Sequence, residues 1–556
     1  MKQRKWLKFL LVIGLVAVLL FNFGCVELRR FVSEEAEDRI AHLMPGDTAF
    51  YFSLNLGREQ SANFEQLWQV FAAIPGVEEA TSELGNLTKG LPTEEEFSFE
   101  NDIAPWLSLE AGLALPTLNL EGGADLLEFN EEQPIIIVLA SRDTAKSNAF
   151  LRKVGREIQK EGKLEMRLYK GTALYHYEPK SPGETPTAYA AYEDFLLISN
   201  DLKLLQQVID IAQEKGKSLA ENEDYKALLK TLPPESAGHV YIAMGQFLKD
   251  FSELADIPPG TMDIYSGRAM AFSLGFIQNG LVMDYAASYD VEKMSRFMHE
   301  TMRQKPNLHR ALGFAPTETI FYLSGQDLGL LWEYVLEMLG RESGFREEVQ
   351  DLEKELDLNL EQDVFSWTTG EYALSVLPDP GGFMGQKDVP LGLLILVEIK
   401  DKKMAQDKME KIAGALAEQL MAQPKEVYIS GVKMHTLSVP SENITLGYGF
   451  IEDFLAIGTS RQILRQAVEA PDHPIKEMEE LQAAIEPLPA HNTGYIYLDI
   501  QKTFELITRT MPPSERLDFQ REVLPYVQPF RAFSSASTVM EEGKIMYGRL
   551  FILIEK

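Results

Sequence analysis

The sequence predicts an α+β protein: two homologous domains of largely antiparallel sheet with helices on one face, preceded by one N-terminal transmembrane helix. Three observations predict it. Residues 6–26, WLKFLLVIGLVAVLLFNFGCV, form one apolar run at the N-terminus. The core EDFL occurs twice, in YEDFLLIS (192–199) and in IEDFLAI (451–457). Around those two cores, further blocks of sequence recur in the same order in both halves of the chain.

The chain has 556 residues, 45% hydrophobic and 10% aromatic, enough for two to four domains with sizeable cores. Its formal net charge is −31. Such a surface repels phosphate backbones, because nucleic-acid binding rests on neutralising phosphates with Lys and Arg, so no nucleic-acid partner is expected. Cys25 is the one cysteine, which excludes an intramolecular disulfide framework and a multi-cysteine zinc site.

Taken in chain order, residues 1–5 read as a cytoplasmic N-terminus and residues 6–26 as a transmembrane anchor. At 1.5 Å per residue that helix reaches about 31 Å, the thickness of a bilayer's hydrocarbon core. Lys2, Arg4, Lys5 and Lys8 lie before or at its start, against Arg29 and Arg30 behind it. The Lys/Arg bias places the N-terminus in the cytoplasm and the body outside it. Gly24-Cys25 at the end of the run also reads as a lipoprotein signal, with Cys25 the lipidated residue, although Asn22 and Phe23 depart from the small or branched residues usual before Gly-Cys. A cleaved signal peptide is a third reading, against which stands the length of the run. All three export the body. Residues 27–42 read as a tether.

The repeat domains follow at 43–305 and 310–556. DTAFYFS (47–53) matches ETIFYLS (318–324), and FENDIAPW, ending at Trp106, matches LEQDVFSW, ending at Trp367. Each of these is followed by a short strand closing on Leu115-Pro116 or Leu377-Pro378. PIIIVLASRD (134–143) matches PLGLLILVEIKD (390–401). Leu232-Pro233 before HVYI matches Leu488-Pro489 before YIYL, and RAMAFSLGFIQNGLVM from Arg268 matches RAFSSASTVMEEGKIM from Arg531. The helices sit between. Leu151, Val154 and Ile158, and likewise Met409, Ile412 and Leu416, recur at helical spacing behind Asp143 and Asp401, which serve as N-caps. Leu204, Leu205 and Val208, and Ile463, Leu464 and Ala467, mark the helices after EDFL. Gln278-Asn279-Gly280 and Glu541-Glu542-Gly543 read as hairpin turns in which glycine supplies a positive φ. Short turns between strands favour antiparallel pairing. EDFL itself reads as structural: an acidic hairpin turn between buried arms.

PGDTAFYFSLNL, FENDIAPW, YEDFLLIS and RAMAFSLGFIQNGLVM together resemble the exported bacterial family known as domain of unknown function 3352. The resemblance covers nearly everything from residue 43 onward. It implies fold kinship and a bacterial envelope location, and it carries no assigned catalytic residues.

Motifs for chemistry are missing from the sequence. GGFMGQK (381–387) lacks the spacing and the Ser/Thr of a phosphate-binding loop, and there is no H-E-x-x-H, G-x-S-x-G or EF-hand pattern. The eight histidines (42, 176, 239, 299, 309, 435, 473 and 491) are scattered singly. Trp106 and Trp367 each stand four residues after an Asp (Asp102, Asp363) and four before a Glu (Glu110, Glu371). Glu110 and Glu371 are the candidate acid–base carboxylates, set against a structural alternative in which each Trp packs at a corner with its N–H bonded to oxygen. Residues 117–133 and 379–388, where the two halves differ, are candidate recognition loops for a protein or apolar ligand. The expected role is therefore a membrane-tethered, extracytoplasmic, non-catalytic binding or scaffold protein, without cofactor or metal. The alternatives are a carrier of an apolar ligand or lipid, for which 20 Met and 30 Phe supply lining residues, and an envelope hydrolase.

Overall fold

A computed structural model describes residues 38–74, 99–117, 133–180, 186–234, 236–245, 266–339, 344–383, 389–439, 444–540 and 544–555. The anchor segment 6–26 and Cys25 lie outside these residues. Among the described residues, no helix is long and apolar enough to cross a membrane. The described residues divide into two compact units, the first ending at Asp290 and the second running from Val291.

In the first unit, strands β1 (Phe50–Asn55), β2 (Leu107–Leu115), β3 (Ile136–Ser141), β4 (Gly162–Tyr169), β5 (Thr172–Pro179), β6 (Thr187–Tyr192), β7 (Phe195–Ser199), β8 (Gly238–Ala243), β9 (Gly267–Ile277) and β10 (Gly280–Tyr289) pair antiparallel throughout. Their order in space is 4-5-6-7-3-2-1-8-9-10. Helices α1 (Arg58–Phe71), α2 (Thr144–Glu161), α3 (Leu202–Ala212) and α4 (Glu223–Thr231) connect them.

The second unit begins with α5 (Arg296–Thr301), whose Phe297 stacks on Tyr334 at 4.8 Å. It continues through β11 (Phe321–Gln326), α6 (Leu328–Leu339), α7 (Phe345–Leu356), β12 (Glu371–Pro378), β13 (Leu391–Glu398), α8 (Lys402–Gln419), β14 (Gln423–Ile429), β15 (Val432–Val439), β16 (Ile444–Ile451), β17 (Phe454–Gly458), α9 (Arg461–Glu469), α10 (Glu479–Ile485), β18 (Tyr495–Asp499), α11 (Ile500–Thr510), α12 (Pro513–Glu522), β19 (Phe530–Met540) and β20 (Ile545–Ile554). Its strands are also antiparallel, in the order 14-15-16-17-13-12-11-18-19-20. That order reproduces the first unit's with every strand advanced by ten.

The α+β class with large antiparallel sheets is as expected, but the helices do not keep to one face. Val397, Tyr448 and Leu455 pack with Ala405 and Met409 of α8. Their neighbours on the same strands, Gly447 and Gly458, meet Leu464 of α9, while a Cβ on Gly392 of β13 would lie 2.5 Å from Ile463. Successive residues of a strand point to opposite faces, so α8 and α9 cover opposite sides of the sheet. The reason is composition. Every residue of IIVLAS in β3 and of FLLIS in β7 is buried, and a strand apolar on both sides must be covered on both sides.

Local signals otherwise act as their chemistry dictates. Asp143 and Asp401 accept the N–H groups of Lys146 (3.1 Å) and Met404 (3.0 Å) and start α2 and α8. Leu151, Val154 and Ile158 are buried. The β4–β5 turn is Lys170-Gly171 (φ 50° and 88°) and the β14–β15 turn is Ser430-Gly431 (φ 45° and 84°), the left-handed pair that a two-residue hairpin requires. Gly280 behaves differently from expectation: it opens β10 opposite Ile277, leaving Gln278 and Asn279 as the turn, and it is not among the positive-φ glycines. Glu541, Glu542 and Gly543 lie outside the described residues.

Candidate functional site

The repeated EDFL core has an identifiable task. In the first copy, Glu193 takes a left-handed φ of 51°, which lets β6 turn directly into β7 and presents the next two side chains, Asp194 and Phe195, at the end of the sheet. Arg39 fills that end. Its Nη1 donates to Asp194 at 2.9 Å, its Nη2 and Nε donate to Glu110 Oε2 at 2.5 and 3.2 Å, and its guanidinium lies 4.9 Å from the centroid of the Phe195 ring. The second copy repeats the construction. Glu452 has φ 49°, and Arg310 donates to Asp453 at 3.0 Å and to Glu398, with its guanidinium 5.7 Å from the Phe454 ring. Asp and Phe of EDFL are thus the two jaws of an arginine clamp.

Glu110 and Glu371, the candidate acid–base pair, are both buried. Each is committed within its own unit. Glu110 is held by Arg39, whereas Glu371 accepts the backbone N–H groups of Arg310 and Ala311, both at 2.8 Å. Burial raises the pKa of each above the usual carboxylate value, opposed at Glu110 by the Arg39 bond and at Glu371 by the two backbone bonds.

The two tryptophan corners are matched as well. Trp106 Nε1 donates to the Asp102 carbonyl at 2.7 Å and Trp367 Nε1 to the Asp363 carbonyl at 2.9 Å. The Asp side chains receive lysines from the helix beyond β3 or β13: Lys153 reaches Asp102 at 2.8 Å, and Lys408 and Lys411 reach Asp363 at 2.8 and 2.7 Å. The Lys408 and Lys411 bonds hold the Asp363 carboxyl far below its ordinary range.

Where the clamps agree, their neighbours differ. Asp38, just before Arg39, accepts from Tyr51 (2.8 Å) and Tyr225 (2.8 Å) and lies 3.2 Å from His239 Nε2, which is itself 3.0 Å from the Tyr225 hydroxyl. Burial alone would raise the Asp38 pKa, but the His239 bond and charge and the two tyrosine bonds outweigh it and hold it low. His309 occupies the same place before Arg310. It stacks on Tyr495 at 4.1 Å, neither ring nitrogen has a hydrogen-bond partner among the described residues, and burial depresses its pKa to about 4.

The first unit also carries an open polar cleft of about 880 Å³ between α3, the loop after it and the segment at Gly46. Lys203, Gln206, Lys217, Asn222 and Glu223 are among the residues that line it. No motif marks it in the sequence, since its residues come from separate polar loops and helix ends. The expected recognition loops are only framed: residues 118–132 and 384–388 lie outside the described residues. At their necks Gln133 donates to the Thr117 carbonyl, and Asp379 Oδ1 accepts Gly381 N–H at 2.9 Å. Among the described residues no three His, Cys, Asp or Glu side chains cluster to hold a metal. Arg39 and Arg310 escaped the sequence reading, although a signal existed: each stands six residues before the proline that opens its first repeat block, Pro45 and Pro316.

The family model for "Protein of unknown function (DUF3352)" matches residues 7–553. The chain belongs to this family. No curated protein matches it. Among solved structures, the crystal forms III, I and IV of TP0453 are similar at 9%, 10% and 8% identity. They cover 48%, 47% and 45% of this chain and 86%, 82% and 79% of theirs, with TM-scores of 0.25, 0.24 and 0.23. Likeness at that level adds nothing to the family assignment.

Proposed function

We propose that this family member is a membrane-tethered, extracytoplasmic, non-catalytic binding or scaffold protein whose body is two copies of one α+β domain. The observation that carries the reading is the employment of its buried carboxylates. Glu371 and Asp363, which acid–base chemistry would need free, have both oxygens taken up by backbone N–H or lysine in holding a unit together, and Glu110 gives Oε2 to Arg39 while its buried Oε1 has no partner among the described residues. The matched strand orders and matched clamps support duplication.

The proposed location rests on residues 6–26 and the cations before them. Asp38 and Arg39 are already bound into the first unit, so the proposed tether ends before residue 38. A recognition role falls to residues 117–133 and 379–388, with a protein or apolar ligand as partner, and lipidation to Cys25. Fusion of a reporter active only outside the cytoplasm after Lys556 tests the location. Activity is expected, and an inactive reporter on a well-expressed fusion would overturn it. Fatty-acid labelling lost in Cys25→Ser would support lipidation, and no labelling of the unsubstituted chain would end that part of the reading.

A further inference from the structure

The cleft of the first unit stands out in a chain of net charge −31 because Lys203, Lys215 and Lys217 line it. Two of its acids are already neutralised: Asp210 by Lys170 and the Tyr169 hydroxyl, with the charge of Lys215 also acting on it, and Asp224 by Arg268. Glu221 accepts the Ser218 N–H at 3.0 Å. Among the described residues, Lys203 at the start of α3 and Lys215 and Lys217 in the loop behind it make no ion pair within 4 Å. Two lining carboxylates, Asp47 and Glu223, are likewise without an ion pair. A site of this size, lined by lysines and carboxylates that make no ion pair within 4 Å, fits a small polar ligand that carries both an anionic group and hydrogen-bond donors.

We infer that this cleft binds a phosphoester bearing hydroxyl or ammonium donors, its phosphate on Lys203, Lys215 and Lys217 and its donors on Asp47 and Glu223. Lysine serves as a compact point charge for phosphate, while ionised carboxylates only accept. The second unit does not repeat the set: aligned on the helix after EDFL and on the block that follows, Lys203 corresponds to Gln462, and the stretch Lys215-Gly216-Lys217-Ser218 to Pro471-Asp472-His473-Pro474. The two units therefore divide their labour, with phosphoester binding confined to the first. The same chemistry is offered by a lipid headgroup at the membrane surface and by a free phosphoester.

The inference deepens the binding role proposed above, and the two fail separately: location is read by the reporter fusion, the cleft by calorimetry. The full chain in nonionic detergent micelles is titrated with phosphoethanolamine, glycerol 3-phosphate, phosphocholine and dihexanoyl-phosphatidylethanolamine. Phosphoethanolamine and glycerol 3-phosphate are expected to bind, and phosphocholine, which lacks donors, to bind about tenfold more weakly. Lys203→Gln combined with Lys217→Ala is expected to cost at least about tenfold in affinity at unchanged Tm. Gln462→Ala is expected to change nothing. The dihexanoyl lipid binding more tightly than phosphoethanolamine identifies a headgroup as the source, and equal or weaker binding identifies a free phosphoester. No binding of any phosphoester, affinity indifferent to the two lysines, or phosphocholine binding as well as phosphoethanolamine would overturn the inference.

Discussion

Arg39 is one-third exposed and its partner Glu110 is 2% exposed, so truncating the arginine leaves a carboxylate stranded in the interior. A broken buried pair costs about 3–5 kcal/mol, and discounting for the exposure of the arginine leaves about 2 kcal/mol for Arg39→Ala. Arg310→Ala is expected to cost about 1 kcal/mol or less, because Asp453 is exposed and Glu371 keeps its two backbone donors. Denaturant titration of both variants checks the ranking; equal losses would refute it. The sign with pH follows from burial. A carboxylate whose folded pKa is raised costs nothing below its unfolded value and destabilises as pH rises through the folded one. The raised Glu110 pKa means that the Arg39→Ala penalty is expected to shrink as the pH falls through the ordinary carboxylate range and to grow as it rises above that range. His309 runs the other way, since burial lowers its folded pKa to about 4. The unfolded chain takes up that proton first, so stability is unaffected above about 6.5 and falls between there and about 4. His309→Gln is expected to flatten that part of the Tm–pH curve, and an unchanged curve would contradict the assignment.

Helix starts and helix phases were legible in the sequence because they depend on neighbours a few residues apart. Asp143→Ala and Asp401→Ala, each removing an N-cap, are expected to cost about 1 kcal/mol apiece in denaturant titrations. EDFL was legible as a hairpin turn with buried flanks. Its polar purpose was not, because Arg39 and Asp194 are 155 positions apart and Arg310 and Asp453 are 143 apart. No local pattern announces such a contact. Coverage of both sheet faces was hidden for a different reason: apolar runs such as FLLIS look the same whether a helix lies on one side or on each. The tryptophan corners fell between these cases, since the Asp–Trp spacing was visible while Lys153, Lys408 and Lys411 arrive from a helix beyond the next strand. The cleft had no sequence signature, being assembled from helix ends and loops.

At the scale of the whole chain, two units share one antiparallel strand order and one way of closing it, an arginine ahead of the first strand gripped by the acid and ring of EDFL. The first unit adds the Asp38 network and the lysine-lined cleft, and the second has His309 and a different loop in their places. Shared residues thus maintain the fold, and the proposed phosphoester site falls among the differing ones. Hydrogen exchange of the full chain carrying Arg39→Ala, beside the chain carrying Arg310→Ala, tests this most directly. Lost protection is expected in β1–β3, β6 and β7 for the first and a smaller loss in β11–β13, β16 and β17 for the second. Protection unchanged in both, or the same strands loosened by either substitution, would contradict it.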